Sequence, residues 1–353
     1  MRNGRWRYPC NWKYKNESGF GGDLVFSYGE KTGKWLLLLL KFSVTVSLIG
    51  IAVAYVDFEK SVQYVEKLSY GSFLLATLSL VVQIFVLGLR WQKILIPFHG
   101  HNPSYFYSLR IVFIGFFFNQ TLPSSIGGDA MRAWEAYKCG LPPRTAVNSV
   151  LLERFSGLFT LVLIMAAALP LIWPYLESSV IRWTLVATVP LFAGIFVLIL
   201  MLDRMPASIR HFSLVKKAAT LSHDLRSVLA NTEVTLQMLF LGIVSNLLSV
   251  ASVWSLGIGL GLDVALLNYM ALVPAAILIT VLPISVAGWG VREGAMVVLF
   301  TSVGVDREAS LVLSLLFGVS MLVASLPGGI FWLGDRSRLP DMPADPLKPY
   351  LQD

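Results

Sequence analysis

Charge is scarce in this sequence. Only 14% of its residues are charged and 56% are hydrophobic, whereas a soluble domain averages about 25% charged. That scarcity excludes an ordinary water-soluble globule. Cysteine is nearly absent as well. Cys10 and Cys139 offer no disulfide framework and no metal-ligand spacing. The four histidines, His99, His101, His211 and His223, fall in loops, and the His99–His101 pair has no carboxylate or thiol partner, so no metal site is expected. No nucleophile–base–acid constellation occurs, so neither catalytic residues nor a cofactor are expected. The first 34 residues are polar and basic and lead into a long apolar run, which argues against a cleavable signal peptide. The net charge of +7 comes from basic residues spread through loops. This pattern orients membrane helices and does not form a nucleic-acid footprint.

What the chain does have is apolar length. Trp35–Val56, Gly71–Leu89, Ala146–Ile172, Val180–Leu202, Val234–Leu256 and Ser310–Leu333 each approach or exceed the roughly 20 residues that cross a bilayer. Two further regions, Ser104–Gly140 and Val264–Gly304, are apolar but broken by glycine, proline and polar residues. Basic residues put the N-terminal tail, the stretch "RWQKILIPFHGH", the segment Arg204–Arg226 and the C-terminal "GDRSR" on the cytoplasmic side. "DFEKSVQYVEKLS" and "WPYLESS" then lie outside. Six spans with both termini inside require that each broken region make no net crossing. Each is therefore expected to be a re-entrant hairpin, the first entering from the cytoplasm and the second from outside. The plasma (inner) membrane is the expected location.

An internal repeat supports that parity. "LPSSIGGDAMR" (Leu122–Arg132) aligns without gaps on "LPISVAGWGVR" (Leu282–Arg292), 160 residues later. The identical pairs are Leu122/Leu282, Pro123/Pro283, Ser125/Ser285, Gly128/Gly288 and Arg132/Arg292. The same offset carries the second span onto the fifth and the third onto the sixth. Each half then reads span–span–hairpin–span, and three crossings per half invert the second half. The predicted fold is an all-α polytopic membrane protein of six full spans plus two re-entrant helical hairpins in two inverted repeats. The repeats cover about 35–172 and 180–333 of a membrane domain at 34–334, with polar tails at 1–33 and 335–353. Inverted repeats with broken membrane segments are the usual build of a secondary transporter, with its substrate site where the halves meet.

The polar residues in the broken regions suggest what is bound. Non-helical backbone at membrane depth must be satisfied by protein or cavity water. Pro123 and Pro283 end the entering segments, while Ser125, Ser285 and the glycines permit tight turns. The returning helices then present N-terminal N–H groups, which attract anions, with Arg132 and Arg292 about one turn in. Two roles stay open for Arg132: a pair with Asp129 or Glu135 at i, i+3, or contact with an anionic ligand. Arg292 leans to the ligand, because adjacent side chains such as Glu293 do not face each other well on a helix. In "VLLERFSGLF", Glu153 suits proton coupling or pairing with a hairpin arginine, and Arg154 is expected to snorkel to the interface.

At these residues the chain resembles the flippase-like family typified by the transmembrane region of lysylphosphatidylglycerol synthase. The signature Asn-x-x-x-Pro…Gly-Asp-x-x-Arg is matched by Asn119, Pro123, Gly128, Asp129 and Arg132, and the following Glu-Arg pair by Glu153 and Arg154. The second signature, Pro-x-Ser-x-x-Gly-x-Gly-x-Arg-Glu, is matched by Pro283, Ser285, Gly288, Gly290, Arg292 and Glu293. The resemblance implies movement of a lipid with an anionic head group between leaflets: a phospholipid, a polyprenyl-linked sugar or a hopanoid-related lipid. The chain ends about twenty residues after its last span, where the synthases continue into an aminoacyl-transferase domain. It is therefore expected to transport rather than to synthesise. The alternatives are a membrane-embedded transferase acting on a lipid-linked sugar, with Asp129, Glu153 or Glu293 as its carboxylate, and a non-catalytic partner of envelope-biosynthesis enzymes. Oligomeric state is left open.

Overall fold

The computed structural model describes Ser43 and residues 57–99, 104–122, 127–138, 141–204, 213–281 and 288–336. Among the described residues there is no strand. The helices are α1 (Phe58–Glu66), α2 (Tyr70–His99), α3 (Tyr105–Thr121), α4 (Gly127–Lys138), α5 (Pro143–Ile172), α6 (Ser179–Met201), α7 (Ser213–Ala230), α8 (Thr232–Gly259), α9 (Leu266–Thr280), α10 (Val291–Thr301) and α11 (Arg307–Arg336). Five of them, α2, α5, α6, α8 and α11, are long and apolar enough to cross a membrane. The first expected span, Trp35–Val56, lies outside the described residues apart from Ser43, as do the N-terminal tail and residues 337–353.

Local chemistry sets the helix starts. The Asp57 carboxylate accepts the N–H groups of Glu59 and Lys60 at 3.0 and 3.3 Å, so the segment expected as an external loop contains α1. Asn231 caps α8 through the Val234 N–H at 3.2 Å, and Ser178 caps α6 through Ile181 at 3.4 Å. Each cap satisfies an N–H that the helix itself cannot.

Two ends of the molecule can be traced by hydrogen bonds. At one end, the Ser69 N–H donates to Gly259 O (3.2 Å) and the Glu177 N–H to Ser302 O (3.1 Å). The Tyr64 hydroxyl donates to Asp306 there at 2.7 Å. At the other end, Asp224 of α7 holds Arg144 (3.5 Å) and Asn148 (2.5 Å) at the start of α5. Arg226 of α7 donates through Nε to Leu200 O at 2.9 Å. α7 thus fastens α6 to α5.

Between these ends α2 packs along α8, with Gln83 donating to Ser249 at 2.8 Å. Around this pair α3 packs on α11 and α9 on α5, while α3–α4 and α9–α10 form two helical hairpins. α3 and α4 have 17 and 12 residues and α9 and α10 have 15 and 11. At 1.5 Å per residue none exceeds about 26 Å, short of the roughly 30 Å hydrocarbon core. The seam between α3 and α11 is backbone on backbone. A Cβ on Gly328 would run into the Phe113 carbonyl, and one on Gly329 would come within 3.0 Å of the Phe117 ring. α6 is peripheral, burying only Leu185.

Candidate functional site

Hairpin one is built by close approach. A Cβ on Gly128 would collide with the Gly115 carbonyl oxygen and would lie 2.5 Å from Asn119 Cγ. The Asn119 side-chain oxygen accepts the Gly128 N–H at 3.0 Å. Asn119 therefore caps α4 from the end of α3. It also takes one of the N–H donors that the sequence left for an anion. Arg132 is the sixth residue of α4 and lies across Gly115, where a Cβ would meet its Cγ.

The arginine then reaches a buried ionic cluster. Arg132 Nη1 lies 2.8 Å from Glu153 Oε2 of α5 and 3.9 Å from Asp129. The other oxygen of Glu153 is bound by Arg90 of α2, and Arg154 Nε donates to Asp129 at 2.5 Å. The Arg132 guanidinium sits 5.1 Å over the Trp91 ring, a favourable cation–π placement. Arg90, Arg132 and Glu153 are each no more than 6% exposed. Three arginines therefore meet two carboxylates, with Arg90, Arg132 and Glu153 buried and Arg154 partly exposed. Nε and Nη2 of Arg132 have no hydrogen-bond partner among the described residues, and leaving such buried donors unpaired is costly.

Hairpin two is self-contained. Gly288 and Gly290 have φ of +82° and +84°, a region open to glycine at little cost, and they turn the chain into α10. Arg292 is the second residue of α10 and donates to Glu293 Oε1 at 3.1 Å (Nε) and 2.8 Å (Nη2). Glu293 also accepts the Gly290 N–H at 2.5 Å and the Ser314 hydroxyl at 3.2 Å. Arg292 lies 4.7 Å over Trp289 and against Gly318, where a Cβ would meet its Nη2.

Several expectations are corrected. The neighbours Arg292 and Glu293 do pair, because in the first turn of a helix the long guanidinium arm can fold back along the axis. Glu135 pairs with Lys138 at 3.0 Å, while Arg132 goes to Glu153. Arg154 pairs with Asp129 and keeps 35% of its side chain exposed. The Gly290 N–H, like that of Gly128, is taken internally. Pro123, Ser125, Pro283 and Ser285 lie outside the described residues.

Arg90 was missed because the second span was ended at Leu89. α2 continues to His99, and no breaker occurs before Pro97. Gln83 and Arg90, seven residues apart, share a helix face, a signal that could have located it.

The profile of the lysylphosphatidylglycerol synthase TM region matches residues 38–328. The chain belongs to this family. No curated protein matches it. The matched region takes in both hairpins and the helices that flank them, so the ionic cluster belongs to the family's membrane domain.

Proposed function

We propose that the protein is a transporter that moves a phosphate-bearing lipid between membrane leaflets. The observation that carries this is Arg132: buried, in a cluster where arginines outnumber carboxylates, with two guanidinium nitrogens unpartnered. A phosphate satisfies what the cluster lacks, namely negative charge and acceptor oxygens in the plane of a guanidinium fork. Asp129, Glu153 and Glu293 are each bound by arginine, which favours this over a membrane-embedded transferase that needs an available carboxylate.

The proposal includes the inverted repeat and the two re-entrant hairpins. In support, the packing is mirrored under the 160-residue offset: α3 on α11 corresponds to α9 on α5, and each short hairpin contacts the long helix that follows it. The outer ends of α9 and α10 both lie at the Gly259–Ser302 end, as expected of a hairpin that enters and leaves on one side. We further place the protein in the plasma (inner) membrane with both termini in the cytoplasm, on the strength of the basic loops.

The test is head-group-labelled phosphatidylglycerol in liposomes, read by quencher accessibility. Arg132→Ala is expected to slow lipid movement roughly tenfold or more, the equivalent of one charge-assisted hydrogen bond of about 1.5–3 kcal/mol. Normal movement in both Arg132→Ala and Arg292→Ala would overturn the site.

A further inference from the structure

We propose that the groove between α5 and α6 seats one hydrocarbon chain of a phosphate-bearing membrane lipid, with its phosphate drawn to Arg154 at the rim. This rests on the transport reading and names the route by which the lipid reaches the cluster. The groove has a volume of about 140 Å³. Its walls are apolar throughout, from Phe155, Phe159 and Ala166 on α5 to Ala193, Phe196 and Ile199 on α6. Phe159 of α5 and Phe196 of α6, both lining the groove, stack at 4.8 Å between centroids. The α5 wall spans eleven residue steps from Phe155 to Ala166, about 16 Å at 1.5 Å per step, which is long and narrow like an extended acyl chain. Water has nothing to bond to in such a site, so hydrocarbon is its natural filling.

The neighbouring charge gives the occupant a head. Leu158 lines the groove, and Arg154 lies one turn before it on the same face. Arg154 is 35% exposed beside its pair Asp129. A guanidinium is a planar fork of donors that matches phosphate oxygens. Direction agrees as well. From Arg154 the groove runs away from the α7 end of the molecule, the way a lipid of the leaflet on that side points its tails. Arg154 bridges this rim to Asp129 of α4, and Arg132 lies on that same helix.

The experiment uses the full chain in vesicles that contain phosphatidylglycerol with a photoreactive diazirine in one acyl chain. A parallel arm carries diacylglycerol with the same labelled chain, and crosslinked residues are mapped by mass spectrometry. Labelling is expected to concentrate on 155–166 and 189–199 over Phe240, which is 66% exposed on the outer face of α8. The phospholipid should label there more than diacylglycerol does. The paired substitutions Ala166→Phe and Ala193→Phe should reduce groove labelling to the Phe240 level, and Arg154→Gln should abolish the difference between the probes. Wild-type labelling no greater in the groove than at Phe240, or equal labelling by the two probes, would overturn the proposal. Intact labelling with no lipid movement would sink the transport reading alone; movement without preferential labelling would sink the groove alone.

Discussion

The two hairpins carry matching motifs and solve their ionic problem in opposite ways. In hairpin one the arginine leaves its own helix: Arg132 crosses to Glu153 of α5, which also holds Arg90 of α2. In hairpin two the arginine stays at home, on the adjacent Glu293, which also closes the helix start. Hairpin one is tied by charge to α5, whose Glu153 also holds Arg90 of α2, whereas among the described residues the Arg292–Glu293 pair is bonded outward through the Ser314 hydroxyl and the Met321 sulfur. The glycines differ in the same sense. Gly128 and Gly115 are needed for space; Gly288 is needed for its backbone angle. A motif repeated in sequence therefore need not repeat in mechanism.

The largest effect expected from this contrast is that of Glu153→Ala. It strands two buried arginines, and removal of one partner from a buried ion pair typically destabilises by about 3–5 kcal/mol. A thermal melt in detergent should show this; a melting curve equal to wild type would mean that hairpin one is not held by charge. Glu293→Ala strands one buried arginine, Arg292, rather than two, and is expected to destabilise less, by about 3 kcal/mol, the lower end of that range. If it proves worse than Glu153→Ala, the contrast is reversed.

The glycines sharpen the comparison. Gly288→Ala has room, with the nearest atom 3.5 Å from the new Cβ. It should cost only the left-handed penalty of about 1–2 kcal/mol, eased by Gly288→Asn. Gly128→Ala meets a backbone oxygen, so Gly128→Asn should be no better than alanine. Equal rescue by asparagine at both sites in the same melts would remove the distinction.

The smallest effect is at the tether beside the exit of hairpin two. The hydrogen bond to Asp306, aided by partial burial, pushes the Tyr64 phenol from 10.0 up to about 12. The protonated phenol is the form the fold prefers. Its contribution is therefore complete below pH 10 and declines as pH rises towards 12. Tyr64→Phe should remove that pH dependence from the melting temperature, and an unchanged profile in the variant would show that the tether is not its source.

Helix placement was legible in the sequence because it rests on apolar length, and five of the expected spans match long helices within several residues. The register linking Arg132 to Arg292 was legible because identities recur at one spacing. Glu153 was named as a partner for a hairpin arginine, and Arg132 makes that pair; which arginine it takes, and the part played by Arg90, were not legible. Glu153 lies 21 positions from Arg132 and 63 from Arg90, and only tertiary packing brings those side chains together. Pairing rules for helix neighbours favoured Asp129 or Glu135 for Arg132 and disfavoured Glu293 for Arg292. They assume a continuous helix with no better partner nearby, and a helix start and a converging third helix break that assumption at the two sites. Arg90 looked like a loop residue because a charge was assumed to end a span; a buried carboxylate opposite it removes the penalty that assumption relies on.

The glycine pair on α11 has a consequence for access. Where Gly328 and Gly329 meet Phe113 and Phe117, the two backbones are too close for a lipid tail or a file of water to pass between them. That flank of hairpin one is shut. Anything that approaches the arginines sideways must enter elsewhere on the perimeter. A bulky residue at Gly328 would therefore do more than strain a packing contact, because prising that seam open would give the interior a second entrance.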